Sequence, residues 1–142
     1  MKISDAIHEA TLHFCNTMGV KLESGVKLGN DVYGASIPVF KEKGEKCEYH
    51  FYLYYKKDLL KTVAKTLFEI DFTDQDFVDM SRELANQIVG YAKNLLNDAE
   101  PGSYKLGTPE FLGHVEKFPI KFDEAWVYKI KNRTFKIGYQ KI

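Results

Sequence analysis

Asp79, Glu83, Asn86, Gly90 and Lys93 follow one another at steps of four, three, four and three residues, a spacing that places all five on one stripe of an α-helix. Their side-chain types suit a contact surface. Glu83 has Asp79, Met80, Asn86 and Gln87 as its helical neighbours. None of these is basic, so the carboxylate is free for a cation on another molecule. Asparagine in a helix interior is disfavoured by roughly half a kcal/mol against alanine, and glycine by about 1 kcal/mol. Asn86 and Gly90 therefore stand where helix propensity alone would not put them, and Gly90 would let a partner's backbone come close. On an arbitrary helix such a stripe is simply a solvated face. Here it reads as a docking face that presents one amide outward.

The element carrying this stripe must bury its other side. Phe77, Met80, Leu84, Ile88, Tyr91 and Leu95 fall within roughly 80° of one another at 100° per residue, and the polar stripe is centred roughly 140° away. The spacing predicts a long helix from Thr73 to about Asn97. It opens on Thr73-Asp74-Gln75-Asp76, a variant capping box, and stops before the turn cluster from Asp98 to Ser103. An earlier helix is expected over residues 3–18, with Ile3, Ile7, Ala10, Phe14 and Met18 inward, Ser4 or Asp5 as cap and Gly19 as stop. A shorter helix should begin at a capping Asp58 and carry Leu59, Leu60, Val63, Leu67 and Ile70. Strands are expected at Val20–Leu28 and Val32–Phe40, joined as a hairpin through Gly29-Asn30-Asp31, and at Cys47–Tyr55, with Tyr49, Phe51, Leu53 and Tyr55 on one face. The remainder reads as strands at Tyr104–Leu106, Gly113–Phe118, Glu124–Lys131 and Thr134–Ile142. This pattern predicts a single α+β domain, helices packed on a largely antiparallel sheet.

A weak internal repeat runs through it. Asp5-x3-Glu9 echoes Asp79-x3-Glu83, and Glu23–Gly29 echoes Glu100–Gly107. Aspartate to glycine is 24 residues in the first half and 28 in the second, a difference of about one helical turn. Two pseudo-repeats, about 1–70 and 71–142, account for this.

Composition limits the alternatives. The 142 residues are 44% apolar and 28% charged, with twenty basic side chains against twenty acidic ones. That balance gives no footprint for nucleic acid. No apolar run is long enough for a membrane span, the charged start Met1–Glu9 does not read as a signal peptide, and two cysteines form no framework, so a cytoplasmic protein is expected. The histidines at 8, 13, 50 and 114 show no ligand spacing, and no metal site is expected. Cys15 reads as a packing cysteine, because His13 is two residues away on a helix and points elsewhere. The aromatic run Tyr49–Tyr55 lacks the basic surround of a nucleotide-stacking platform and reads as core packing plus a sheet-edge contact, with either both sheet faces covered or an oligomer formed. No phosphate-cradling loop, nucleophile elbow or dinucleotide fingerprint is present.

The pattern Asp79-x3-Glu83-x2-Asn86-x22-Pro109, with Arg82-Glu83-Leu84-Ala85-Asn86-Gln87-Ile88-Val89-Gly90 around it, resembles the signature of the CheC/CheX/FliY family of bacterial chemotaxis phosphatases. The first-half counterpart, Asp5-x3-Glu9-x2-Leu12, has leucine in place of asparagine and reads as degenerate. One competent motif resembles the CheX type. The resemblance implies a CheC-like fold of duplicated helix-plus-strands units, with two long helices on one face of a largely antiparallel mixed sheet. It also implies a hydrolase acting on the aspartyl phosphate of a CheY-like response regulator in two-component signalling. Asn86 would orient the attacking water and Glu83 would pair with the regulator's lysine. Asp79, Gly90 and Pro109 would belong to the partner-binding edge. The Mg2+ would be the regulator's, leaving this chain no cofactor of its own, and a homodimer is implied. The alternative is a non-catalytic adaptor, like flagellar-switch components, that binds a regulator without hydrolysing its phosphate.

Overall fold

The computed structural model describes residues 1–142 except Val26, Asn30, Gly44, Glu45, Gly102 and residues 117–119. The first helix, α1 (Ile3–Met18), has the expected limits. It ends at Gly19, whose φ of 69° lets its own N–H and that of Val20 bond back to Asn16 and Cys15. Its start is different, because the helix runs past Ser4 and Asp5 to Lys2, and no side chain caps it. The second helix, α2 (Lys57–Phe68), likewise contains Asp58 in its first turn rather than using it as a cap. It closes on Glu69 in the left-handed region, φ 54°, which leaves Ile70 beyond the helix. The third, α3 (Asp76–Ala99), is the longest. Asp76 Oδ2 accepts from the Thr73 amide and hydroxyl at 3.0 and 2.9 Å, so the acidic half of the capping box forms while the threonine turns toward it.

Seven strands follow the order β1-β6-β7-β3-β2-β4, with β5 also on β2, and every described pairing is antiparallel. They are β1 (Leu22–Ser24), β2 (Val32–Lys41), β3 (Cys47–Tyr55), β4 (Tyr104–Leu106), β5 (Glu110–Val115), β6 (Glu124–Ile130) and β7 (Arg133–Lys141). The expected hairpin of the first two strands does not form. β1 pairs with β6 at one edge while β2 lies between β3 and β4–β5. Gly29 and Asp31 therefore carry a crossing connection, and Asn30 lies outside the described residues. The fifth strand starts at Glu110 rather than Gly113, and Phe118 lies outside the described residues. The closing hairpin turns on Lys131 and Asn132, both at positive φ, with Ile130 opposite Arg133.

The strand order reads identically from either end when β1, β2 and β3 are exchanged for β4, β6 and β7. Gly25 and Gly107 hold matching places in it. Each follows a three-residue edge strand and donates to its neighbour strand, to Val127 O at 3.0 Å and to Pro38 O at 2.9 Å respectively. The sequence echo of Gly29 on Gly107 is thus four residues out of the sheet's register.

The main core lies between the helices and one sheet face, where Ile7, Phe14, Leu84 and Ile88 meet Ile37, Phe51, Leu53 and Ile137. The opposite face is covered in part: Tyr54 is buried with Leu28 and Val32, against Tyr52, Val115 and Phe122. Pro38 sits inside β2, a strand paired on both sides. Its carbonyl bonds Gly107 in the break between β4 and β5, so its missing N–H falls where no ladder partner is needed. A Cβ on Gly107 would come within 2.6 Å of the Pro38 ring and 2.7 Å of Phe40, so only glycine fits this break. No helix among the described residues is long and apolar enough to cross a membrane.

Candidate functional site

The long helix α3 buries Phe77, Met80, Ser81, Leu84, Ala85, Ile88, Val89, Ala92 and Leu96. Tyr91 and Leu95, expected on the buried face, are only partly covered. The inward face is thus turned by a fraction of a residue from the expected one, toward Ala85 and Ala92, whose small side chains let α1 and the sheet approach closely. The opposite stripe stays outward: Asp79 is exposed, and Glu83, Asn86, Gly90 and Lys93 are partly exposed.

The two candidate catalytic side chains lie one helical turn apart. Among the described residues the Asn86 carboxamide has no hydrogen-bond partner. Glu83 Oε1 accepts from Gln87 Nε2 at 2.8 Å. No cation pairs with it among the described residues, so the expectation of an unpaired carboxylate meets one neutral neighbour that sequence spacing alone did not assign a role. That bond ties down one oxygen and leaves Oε2 open. Asp79 has no ion-pair partner among the described residues either.

Gly90 faces its own chain. A Cβ there would lie 3.4 Å from Leu106 of β4. It also lines, with Asn86, Gln87, Tyr91, Lys93 and Asn94, an open depression of about 290 Å³. A side chain there would meet Leu106 at ordinary contact distance, and the glycine leaves a hollow beside Asn86.

Pro109 follows β4 and directly precedes β5, two strands that meet α3. Asn97 clamps Tyr104, donating to its carbonyl and accepting from its amide at 2.8 Å each. Gly90 meets Leu106, and Phe77 meets Phe111 with ring centroids 5.3 Å apart. From Gly90 back to Phe77 is about 20 Å of helix, and from Leu106 on to Phe111 is about 17 Å of strand. The chain segments are antiparallel and matched in length. Pro109 lies in the chain between those two contacts, outside either strand and partly buried. Asn97 was not singled out by its sequence neighbours, because its partner is a backbone seven residues away across a turn.

Other chemistry-bearing residues are committed to packing. Cys15 is fully buried, and burial pushes its thiol up to about 11, far from a reactive thiolate. His13 stacks on Tyr91 at 4.1 Å, fastening α1 to α3. Among the described residues no three His, Cys, Asp or Glu side chains are grouped to hold a metal ion.

No protein-family model and no curated protein matches the sequence. Solved structures match along its whole length. CheX from Desulfovibrio desulfuricans has 22% identity and a TM-score of 0.70, over 100% of both chains. The CheX–CheY–BeF3–Mg2+ complex from Borrelia burgdorferi matches with 15% identity and a TM-score of 0.71, over 98% of this chain and 97% of that one. FliY from Thermotoga maritima matches with 14% identity and a TM-score of 0.58, over 93% of this chain and 83% of that one. The fold class defined by the helices and sheet is therefore that of CheX and CheC-like chemotaxis proteins.

Proposed function

We propose that this chain is a cytoplasmic phosphatase of the CheX type that accelerates loss of the aspartyl phosphate from a CheY-like response regulator. The observation that carries the reading is the Asn86 carboxamide, outward and uncommitted, one turn from the outward carboxylate of Glu83 on the long helix of a CheX-type fold. That a protein of this fold forms a complex with CheY, BeF3 and Mg2+ supports a regulator of that kind as partner.

Hydrolysis of an acyl phosphate needs a water in line with the breaking P–O bond and little covalent chemistry from the protein. Asn86 Oδ1 would accept a hydrogen bond from that water and aim the water's lone pair at phosphorus, converting a diffusing nucleophile into a positioned one. Glu83, through its open Oε2, would bond a lysine of the regulator and fix the docking register. Asp79 adds negative charge at the entry of the same stripe. Gly90 and Pro109 shape the ground on either side, the first by the hollow beside Asn86. The Mg2+ would arrive with the regulator. In this reading the chain is one domain of two related halves, and two copies associate through sheet edges.

Phosphate release from a CheY-like regulator charged with acetyl phosphate tests the proposal. The wild-type chain should speed release, and Asn86→Ala should remove most of that enhancement, on the order of a hundredfold, with the circular dichroism of the native fold retained. An Asn86→Ala variant as fast as wild type would sink the water-positioning role. Binding of the regulator with no faster release would assign the chain to the adaptor alternative.

A further inference from the structure

Where α2 ends against the start of α3, an open concavity of about 570 Å³ is lined by Phe68, Ile70, Asp76, Asp79, Met80 and Glu83. Phe68 and Ile70, two residues apart, are 45% and 40% exposed. Large apolar side chains that share a hollow on a soluble surface mark a contact more often than chance. Glu69 between them holds a left-handed backbone, φ 54°, which turns the chain off α2 and sets the two side chains along the concavity.

The rim of this hollow selects its occupant. All three titratable residues in it are carboxylates, and none is paired with a Lys or Arg among the described residues. Asp76 accepts only from Thr73 and Glu83 only from Gln87. Of the three lysines of α2, Lys57 is bound at 2.8 Å to Asp74, outside the hollow, and Lys61 and Lys65 form no ion pair with the rim among the described residues. An apolar floor under an uncompensated acidic rim is complementary to an apolar side chain flanked by lysine or arginine. A second copy of this chain is a poorer fit, since the same three carboxylates would face each other across an isologous contact. Asp79 and Glu83 belong both to this rim and to the stripe that carries Asn86, so whatever occupies the hollow adjoins the partner held there.

We infer that the Phe68–Ile70 hollow is a second anchor for the response regulator, taking an apolar side chain beside the regulator's basic residues while Asn86 works at the phosphate. The inference rests on the phosphatase reading for its partner and extends the binding surface from Asp79 and Glu83 of the motif to Phe68, Ile70, Asp76 and Met80. Its effect is on association: the hollow contacts no reacting atom.

The double variant Phe68→Ser/Ile70→Ser tests it, with Ile142→Ser, an exposed apolar residue outside the hollow, as control. Affinity for a CheY-like regulator loaded with beryllofluoride and Mg2+ is measured by titration calorimetry, and phosphate release is measured alongside. The double variant should weaken affinity and raise KM by about tenfold with unchanged turnover at saturation, while the control matches wild type. Unchanged affinity and KM in the double variant would overturn the anchor and leave the phosphatase reading intact. If the wild type binds without accelerating release, the phosphatase reading fails, and the anchor then stands or falls on affinity alone. No binding of the regulator by wild type overturns both. A change in the variant's sedimentation mass with regulator affinity unaffected would assign the hollow to self-association and overturn the anchor.

Discussion

Glu83 and Asn86 divide the proposed work by chemical type. An amide can hold water without attracting a cation into its place, and a carboxylate can fix a lysine at distance without competing for the phosphate. Glu83→Gln keeps the shape and removes the charge. The expected outcome is a rise in KM of about tenfold with turnover at saturation nearly preserved, the mark of lost uniform binding. A loss confined to turnover would move Glu83 from docking into the chemical step. Gln87, which already bonds Glu83 at 2.8 Å, orients that carboxylate. This refinement was out of reach of the sequence, because a glutamine four residues on is equally able to point into solvent. The outward placement of Asp79, Glu83 and Asn86 was legible, because a helix fixes its own stripe by local geometry once the apolar side is known.

At the scale of elements, α3 meets β4 and β5 through a series of unlike contacts along its length: Phe77 on Phe111, Gly90 on Leu106, and the two bonds of Asn97 to Tyr104. The last is the most vulnerable. Asn97 is partly buried and satisfies a backbone donor and acceptor that β4 presents to no other strand at that point. Asn97→Ala leaves both groups unpaired and should cost about 1–2 kcal/mol, lowering the thermal midpoint by roughly 3–8 °C for a chain of this size. A calorimetric midpoint equal to wild type would show that water replaces the side chain. Such a clamp is a contact across a turn, and periodicity does not register it. Helix limits were readable where the end is set locally, as by Gly19, and misread where a cap was assigned to Ser4 or Asp58, because neighbouring backbone continued the helix past both. The Phe68–Ile70 hollow was invisible for the opposite reason: its floor comes from the end of one helix and its rim from the start of the next.

For the whole molecule, the near-symmetry of the sheet leaves two unequal edges. One is β1, three residues long; the other is β4 continued by β5, whose outer side has no strand partner among the described residues. The misassigned hairpin shows why this was hidden. A strand's local pattern says that it pairs, and its partner here, β6, lies about a hundred residues away. Asn97 occupies the outer N–H and carbonyl of Tyr104 in β4, so the open backbone of the longer edge is that of β5, the natural site for pairing with a second copy, two-fold and antiparallel. Such pairing extends the sheet in its own plane and leaves the outward stripe of α3, above that plane, open to a regulator. Sedimentation equilibrium should therefore give twice the 16.4 kDa of one chain. Leu112, 37% exposed on β5, is the residue to challenge: Leu112→Lys places like charges in proximity across the two-fold and should return the monomer mass. A wild-type chain that sediments at 16.4 kDa would refute edge pairing, and a Leu112→Lys dimer would move the interface to another edge. If the variant is monomeric and still releases phosphate at the wild-type rate, each chain works alone and the paired sheet serves only stability.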